Sequence, residues 1–319
     1  MNEKIRFGVL SAASIVPRFV RGLEQSGAGT VTAIASRTIE KARQAAAELG
    51  IERFYGSYEE LLADSETEAV YIPLINSLHY PYARKALLAG KHVVMEKPFV
   101  LHSEEAEELA ALAARKNLFI TEAVKTPFLP VYAELKRILD EKKYGNIQFM
   151  EFKQSYTSGP YVTGWNKKKE TGGGVLYGNE AYFFHMAEFL AGKFVSVTGS
   201  ATFGQEVEDQ CSLCGVTENN VLATLAVSTK TLFRNGLVIY LDDARIEIPD
   251  YWKASEVSVY QGNELKEHLS FPCQYEFRYE LAHYCQCIHE GKTGSPVTPV
   301  SNSARYIEWC EKLYRSWEK

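Results

Sequence analysis

Short apolar runs alternate with helix-period stretches through the first 122 residues. Residues 4–10, KIRFGVL, read as a strand, and residues 14–26 as a helix with Pro17 in its first turn. TVTAIAS (30–36) is a second strand. Thr38 then caps a helix, TIEKARQAAAELG, that is rich in Ala and Glu and closed by Gly50. ERFYG is a short third strand, and SYEELL carries a capping box of Ser57 and Glu60. EAVYIPL is a fourth strand, 79–90 a helix ending at Gly90, and KHVVMEK a fifth strand. Ser103 caps a further helix, and LFITEA is the sixth strand. Strands and helices in regular alternation, joined by short connections, predict a parallel, doubly wound sheet with ligands at the carboxyl ends of its strands.

The rhythm changes near residue 123. Pro127 and Pro130 lead into a helix to about 142, and GNIQFMEFKQSY (145–156) alternates like a strand. A turn of three glycines, 172–174, precedes an apolar helix over 176–192. Six strands follow in succession: VSVTGSATF, DQCSLCGVT, VLATLAVS, NGLVIYL, ARIEI and SEVSVY. Consecutive strands with short turns predict a mainly antiparallel sheet. Helices at about 275–290 and 302–317 close the chain.

Composition narrows the classes. The chain has 319 residues, 24% charged and 46% hydrophobic, which suits two globular domains. A net charge of -5 argues against a nucleic-acid partner, and no apolar run approaches a membrane span. The N-terminus enters a strand pattern with no apolar signal region, so a cytoplasmic location is expected. Six cysteines are too few for a disulfide scaffold in a chain of this length. Cys211 and Cys214 form a C-x-x-C, but on a strand their side chains point to opposite faces, so they are expected to be reduced and structural. The seven histidines show no ligand-like spacing, and no metal is expected.

GVLSAASIV (8–16) sits where a dinucleotide-binding loop belongs, yet Ser11, Ala13 and Val16 occupy the three positions of G-x-G-x-x-G. The free N–H groups and dipole of a helix start bind phosphate whatever the side chains are. Ser11, Ala12, Ala13, Ser14 and Ile15 bring the chain into that helix, with small residues at 11–14 that permit close approach. Val16 is expected to face the sheet. Alone, the loop fits a plain strand–turn–helix equally well. The end of the second strand decides the matter. An Asp or Glu there would bind a ribose 2′-OH. This chain has Ser36 and Arg37, with Lys41 one turn on, a set suited to a 2′-phosphate, so NADP(H) is preferred over NAD(H).

VVMEKPF (93–99) places Glu96, Lys97 and Pro98 at the end of the fifth strand, and LINSLHY (74–80) offers Asn76 and His79 from the neighbouring strand tip. A lysine beside an oxidised nicotinamide meets a like charge, which readies it for acid–base work on a carbonyl or alcohol. The ordinary alternative for Lys97 is a solvated strand end, and for His79 a helix-start residue with no chemical role.

These runs, with IASRTIEKA, YGSYEELLAD, EAVKTPFLPVY, GGGVLYGNEAYFFH and the long stretch from Val70 to Phe99, resemble the glucose–fructose oxidoreductase/inositol dehydrogenase (Gfo/Idh/MocA) family. The likeness is to its dimeric dihydrodiol dehydrogenase-like branch and covers essentially the whole chain. It implies an α/β fold: a Rossmann domain over 1–122, and an α+β domain over 123–300 with a large open sheet that forms a homodimer or higher oligomer. It further implies a last helix, 301–319, that packs back on the first domain. It implies Lys97 as catalytic, a cis Lys97–Pro98 peptide, and Leu74, Asn76, His79 and Glu96 near the nicotinamide and its ribose.

The second domain departs from the family pattern. Gly178 stands where many members have Asp, Glu180 where they have Gly, and Tyr182 where they have His or Tyr. Tyr182 fits the proton donor of the branch, with Asn179 near the substrate. His185, one turn on, reads as a buried histidine. Lys125, where the chain crosses between domains, and Trp165, before the glycine turn, are candidates to line the substrate cleft. The function expected is NADP-dependent hydride transfer to or from a sugar, polyol, diol or related small carbonyl compound. The rival is a nucleotide-binding sensor that kept the fold and lost the chemistry, motivated by the missing loop glycines and Gly178.

Overall fold

A computed structural model describes residues 3–157 and 164–318. Contacts divide the chain into two compact units. One runs to Val124 and includes Tyr275–Ile307; the other comprises Lys125–Gln274 and the chain from Glu308 onward. The limits drawn from sequence lie at 122 and 300.

The first unit is a six-stranded sheet of β1 (Ile5–Leu10), β2 (Gly29–Ala35), β3 (Arg53–Tyr55), β4 (Ala69–Ile72), β5 (His92–Met95) and β6 (Ile120–Glu122), in the order β3-β2-β1-β4-β5-β6. Every pairing is parallel. The order reverses between β1 and β4, which places the binding crevice at their carboxyl ends. The connecting helices are α1 (Val16–Ser26), α2 (Ile39–Leu49), α3 (Tyr58–Leu62), α4 (His79–Leu88) and α5 (Ser103–Lys116). Thr38 caps α2 through the Lys41 N–H, and Gly50 closes it at a φ of 68°. Ser57 caps α3 as expected, but the Glu60 carboxylate reaches back to the N–H of Gly56, so only half of the capping box forms. Ser103 is not a cap: it is the first residue of α5, with extended His102 in the cap position, whose N–H donates to Glu105. The expected helix start at residue 14 moves to Val16, because residues 14 and 15 form the preceding turn.

After the second unit the chain returns as α8 (Phe277–His289), which packs on α1. Gly22 makes this close approach possible, since a Cβ there would stand 2.6 Å from Phe277 Cβ. Arg18 lies over the Phe277 ring and pairs with Glu276. The first turns of α9 (Val300–Trp317) stay in this unit, where Ser303 donates to buried Glu122 at 2.7 Å.

The second unit carries an eight-stranded sheet. Its strands are β7 (Ile147–Ser155), β8 (Phe194–Phe203), β9 (Glu208–Thr217), β10 (Leu222–Ser228), β11 (Gly236–Leu241), β12 (Arg245–Pro249), β13 (Glu256–Gln261) and β14 (Glu264–Ser270), in the order β14-β13-β12-β11-β7-β10-β9-β8. All pairings are antiparallel except β7 with β10. α7 (Val175–Ala191) covers one face and α6 (Pro130–Asp140) packs on β13. β14 is an element that sequence reading missed. Its residues are half-buried or exposed on both faces, so no apolar alternation marks it; the tight Gly262–Asn263 turn before it is the signal that was there. Cys211 is buried and Cys214 exposed, and all six cysteines are free thiols.

Glu208 organises the start of α7. It is 1% exposed and accepts from the Leu176 N–H and from the Tyr314 hydroxyl, each at 2.8 Å. Burial pushes its carboxyl above the ordinary range, and these two donors oppose that push. The folded chain therefore holds this proton more tightly than the unfolded chain. Its contribution to stability is complete below the ordinary carboxyl range and is lost as pH rises through the raised value. Glu208→Gln keeps an acceptor oxygen and removes the charge. Its melting temperature is expected to gain on the wild type from acid to neutral pH; thermal melts with the same pH dependence for both proteins would refute this.

Candidate active site

In the first unit the candidate residues gather at the carboxyl ends of adjacent strands. Leu10 of β1 pairs with Ala35 of β2, so Ser11 and Ser36 leave neighbouring strands side by side. Ser11 has a φ of 136°, a conformation that favours glycine. The first glycine of the fingerprint has been replaced without changing what the backbone must do. The serine is held there by its own hydroxyl, which donates to Pro73 O and accepts from the Ala13 N–H, both at 3.1 Å. The first bond links the ends of β1 and β4. Ala12 and Ser14 are exposed, Ala13 and Ile15 half-buried, and Val16 is 1% exposed. No side chain caps α1; instead the loop's own carbonyls take up its first N–H groups, Val16 donating to Ala13 O and Arg18 and Phe19 to Ile15 O, while Pro17 has no N–H. The positive end of the α1 dipole, behind small residues, fits a pyrophosphate.

Strain of this kind costs about 1–3 kcal/mol. Ser11→Ala keeps the strain and loses both restraining bonds, whereas Ser11→Gly removes both together. The alanine variant is expected to be less stable than the glycine variant by about 1–3 kcal/mol in denaturant titrations; equal stability or the reverse order would show that a side chain at this φ carries no strain.

At the end of β2, Ser36 is buried and its N–H donates to Tyr55 O, while Arg37 and Lys41 are exposed. Burial pushes the Tyr58 phenol up, and the nearby Arg37 charge works against that push.

At β4 and β5 the structure shows what holds the E-K-P strand end. Lys97 is half-buried and the Lys97–Pro98 peptide is cis. Glu96 Oε1 accepts from the Tyr71 hydroxyl at 2.6 Å. Tyr71 is 0% exposed and its ring stacks on Phe19 of α1, with centroids 3.8 Å apart. A phenol in a fully buried aliphatic strand needs a hydrogen-bond partner. That is the signal in AVYI that could have revealed this residue, which sequence reading passed over. His79 is also 0% exposed, with Nδ1 at 2.7 Å from Pro98 O and Nε2 at 3.1 Å from Leu74 O. Burial pulls the ring toward its neutral form, so it donates to one carbonyl at a time. His79 fastens the turn that carries Lys97. Asn76 is buried and Leu74 half-buried at the tip of β4.

The second unit places Tyr182, half-buried on α7, beside Lys125, which is 5% exposed at the head of the turn before α6. Lys125 Nζ donates to the Tyr182 hydroxyl at 3.4 Å and lies 5.1 Å from the centre of its ring. Asn179 is 0% exposed: its Nδ2 donates to Val175 O, and its Oδ1 accepts from Tyr156, which in turn is joined to Gln154. The structure does not bring the Asn179 amide to the surface. Glu180 and His185 are buried, at 1% and 3% exposure. Trp165 is half-buried in a short turn, Gly164–Lys167. Among the described residues no three His, Cys, Asp or Glu side chains converge on a metal position, and no helix is long and apolar enough to cross a membrane.

A parallel sheet with an open phosphate loop and a lysine at the end of β5, followed by a large open sheet, defines a class of nicotinamide-linked oxidoreductases. The chain belongs to the GFO/IDH/MocA oxidoreductase family: residues 5–124 match its NAD-binding Rossmann domain and 132–248 its C-terminal domain. It is 30% identical over 313 residues to a trans-1,2-dihydrobenzene-1,2-diol dehydrogenase of Xenopus tropicalis, with 93% of each chain covered. Two solved structures share the fold. One is a 3-ketoreductase from Actinomadura kijaniata in complex with NADP and TDP-benzene (TM-score 0.88, 24% identity, 98% of both chains). The other is a levoglucosan dehydrogenase with NADH and levoglucosan (TM-score 0.87, 18% identity, 98% of this chain and 97% of that one).

Proposed function

We propose that the protein is an NADP-dependent oxidoreductase that interconverts an alcohol and a carbonyl group on a small sugar, polyol or diol. The observation that carries this reading is Lys97, half-buried at the end of β5 beside a Glu96 carboxylate fixed by Tyr71. A chain that only sensed nucleotide need not keep an acid–base lysine there. When bound, the nicotinamide supplies or accepts the hydride. The loop of Ser11, Ala12, Ala13, Ser14 and Ile15 before α1 would hold the pyrophosphate. Ser36, Arg37 and Lys41 would hold a 2′-phosphate, and Leu74, Asn76 and Glu96 would line the nicotinamide end. Lys97 donates a hydrogen bond to the substrate oxygen and draws charge onto it as the carbon is reduced. In the second unit, Tyr182 is the group that gives a proton in reduction and takes it back in oxidation. Lys125 and Trp165 belong to the substrate side.

The named substrates of the relatives supply the first probes: trans-1,2-dihydrobenzene-1,2-diol and levoglucosan, each with NADP and NAD, and a keto sugar with NADPH and NADH. Turnover of any of them, faster with the phosphorylated cofactor, is the expected result. Tight NADPH binding with no turnover would favour the sensor instead. To the same reading belong a homodimer or larger assembly through the eight-stranded sheet and a cytoplasmic location. The six free thiols accord with a reducing compartment.

A further inference from the structure

Lys125 is a buried ammonium to which the reaction as drawn gives no chemical step. It occupies the head of the turn Thr126–Phe128, and its charge is almost withdrawn from water. Carrying a charge there is costly unless something compensates it. Its stem runs to the half-buried Tyr182 phenol of α7, with Nζ 3.4 Å from the hydroxyl oxygen and 5.1 Å from the ring centre. A neutral phenol offers a lysine only a weak acceptor and a ring face. A phenolate offers a full negative charge at the same place, and at low local dielectric that difference is large.

We infer that Lys125 is a positioning residue for proton transfer, holding the Tyr182 hydroxyl and stabilising the phenolate left when Tyr182 gives up its proton. This rests on the role proposed for Tyr182 above. In the reducing direction the substrate carbon gains a hydride and the carbonyl π pair moves onto oxygen. The Tyr182 O–H bond breaks, a new O–H bond forms on the substrate, and the phenol's bonding pair remains on Tyr182 as phenolate, facing the ammonium. In the oxidising direction the same phenolate, already formed and held by Lys125, takes the proton of the alcohol. The lysine keeps its own protons throughout. Around Tyr182, Lys125 lies in the turn before α6, Tyr251 follows β12 and feels the Tyr182 charge, and His185 stands one turn on along α7. Of these, Lys125 carries the permanent positive charge.

The test compares Lys125→Met, Lys125→Arg, Tyr182→Phe and the Lys125→Met/Tyr182→Phe pair in the full chain, using trans-1,2-dihydrobenzene-1,2-diol with NADP or whichever probe the wild type turns over. Lys125→Met is expected to lower kcat on the order of 10–100-fold, less than the loss of a close oxyanion donor because the contact is long. KM and the NADPH titration stay within a few-fold, and Lys125→Arg recovers most of the activity. The double variant loses no more than Tyr182→Phe alone. A readout without substrate accompanies this: the ultraviolet absorbance of tyrosinate should develop at lower pH in the wild type than in Lys125→Met, and the gap should vanish in the Tyr182→Phe background. If Lys125→Met does not fold, Lys125→Gln is read in the same way. Additive losses, or no tyrosinate difference, would overturn the role of Lys125 and leave Tyr182 standing. Undiminished turnover in Tyr182→Phe, or a wild type that turns over no probe, would overturn the underlying reading and this one with it.

Discussion

Replacing Lys97 with methionine is expected to lower turnover by about 10²–10⁴-fold, the range that a positioned acid–base group contributes, while the protein folds and binds NADPH as before. The separation of these effects follows from the geometry. Lys97 is half-buried at a strand end, whereas the strand beneath it, Val93, Val94 and Met95, is fully buried and does not depend on the lysine. Its turn is held by other groups: the Glu96 N–H donates to Ile72 O, and His79 stands against Pro98 O. Methionine keeps the length of the stem and removes only the donor and its charge. The measurements are kcat with the working substrate and NADPH affinity by fluorescence titration. A kcat within a few-fold of wild type would remove Lys97 from the chemistry, and a matching loss of NADPH binding would recast it as a cofactor ligand alone.

The second large effect lies at the far end of the cofactor. Arg37→Asp is expected to weaken NADP(H) binding by about 10–100-fold, the worth of a hydrogen bond to a charged group, and to improve NAD(H) binding in the same protein. A carboxylate at this strand end repels a 2′-phosphate and accepts from a 2′-hydroxyl. The position isolates that exchange. Arg37 is exposed, so its loss leaves no buried group unpaired, while Ser36 beside it is fixed by burial and by its N–H bond to Tyr55 O. Titration of both cofactors against both proteins reads the result. An unchanged NADP affinity would make Arg37 an ordinary solvated arginine and return the question to Lys41 and Ser36.

The phosphate loop shows how far residue patterns reach. Counting glycines made GVLSAASIV a damaged fingerprint, because that count treats the residue type as the requirement. The requirement is a backbone conformation, and Ser11 adopts it at a φ of 136° by anchoring its hydroxyl at both ends. The Pro73 oxygen that holds it is 62 residues away in sequence, so no local reading finds it. Tyr71 is the converse case. A lone phenol in AVYI signals that a partner exists, yet only the placing of β5 beside β4 reveals it to be Glu96. Asn179, with Glu180, is the sequence's candidate to replace in part the carboxylate missing at Gly178. Its place on α7 turns it inward, toward Tyr156 and Val175 O.

By itself the sequence determined the alternation of strands and helices, the succession of strands in the second half, and the chemistry gathered at strand ends. These depend on periods of two and 3.6 residues and on caps and turns, which act over a few positions. Packing between distant segments fixed that the chain's return to the first unit begins at Tyr275 and ends at Ile307, within the last helix. That return depends on Gly22 admitting Phe277, and on Ser303 meeting a buried Glu122. The tertiary structure likewise decided that Lys125 and Tyr182, 57 residues apart, share one hydrogen bond. Close approach of distant segments is set by which side chains leave room and which buried groups need partners. Those conditions appear only once the chain has packed.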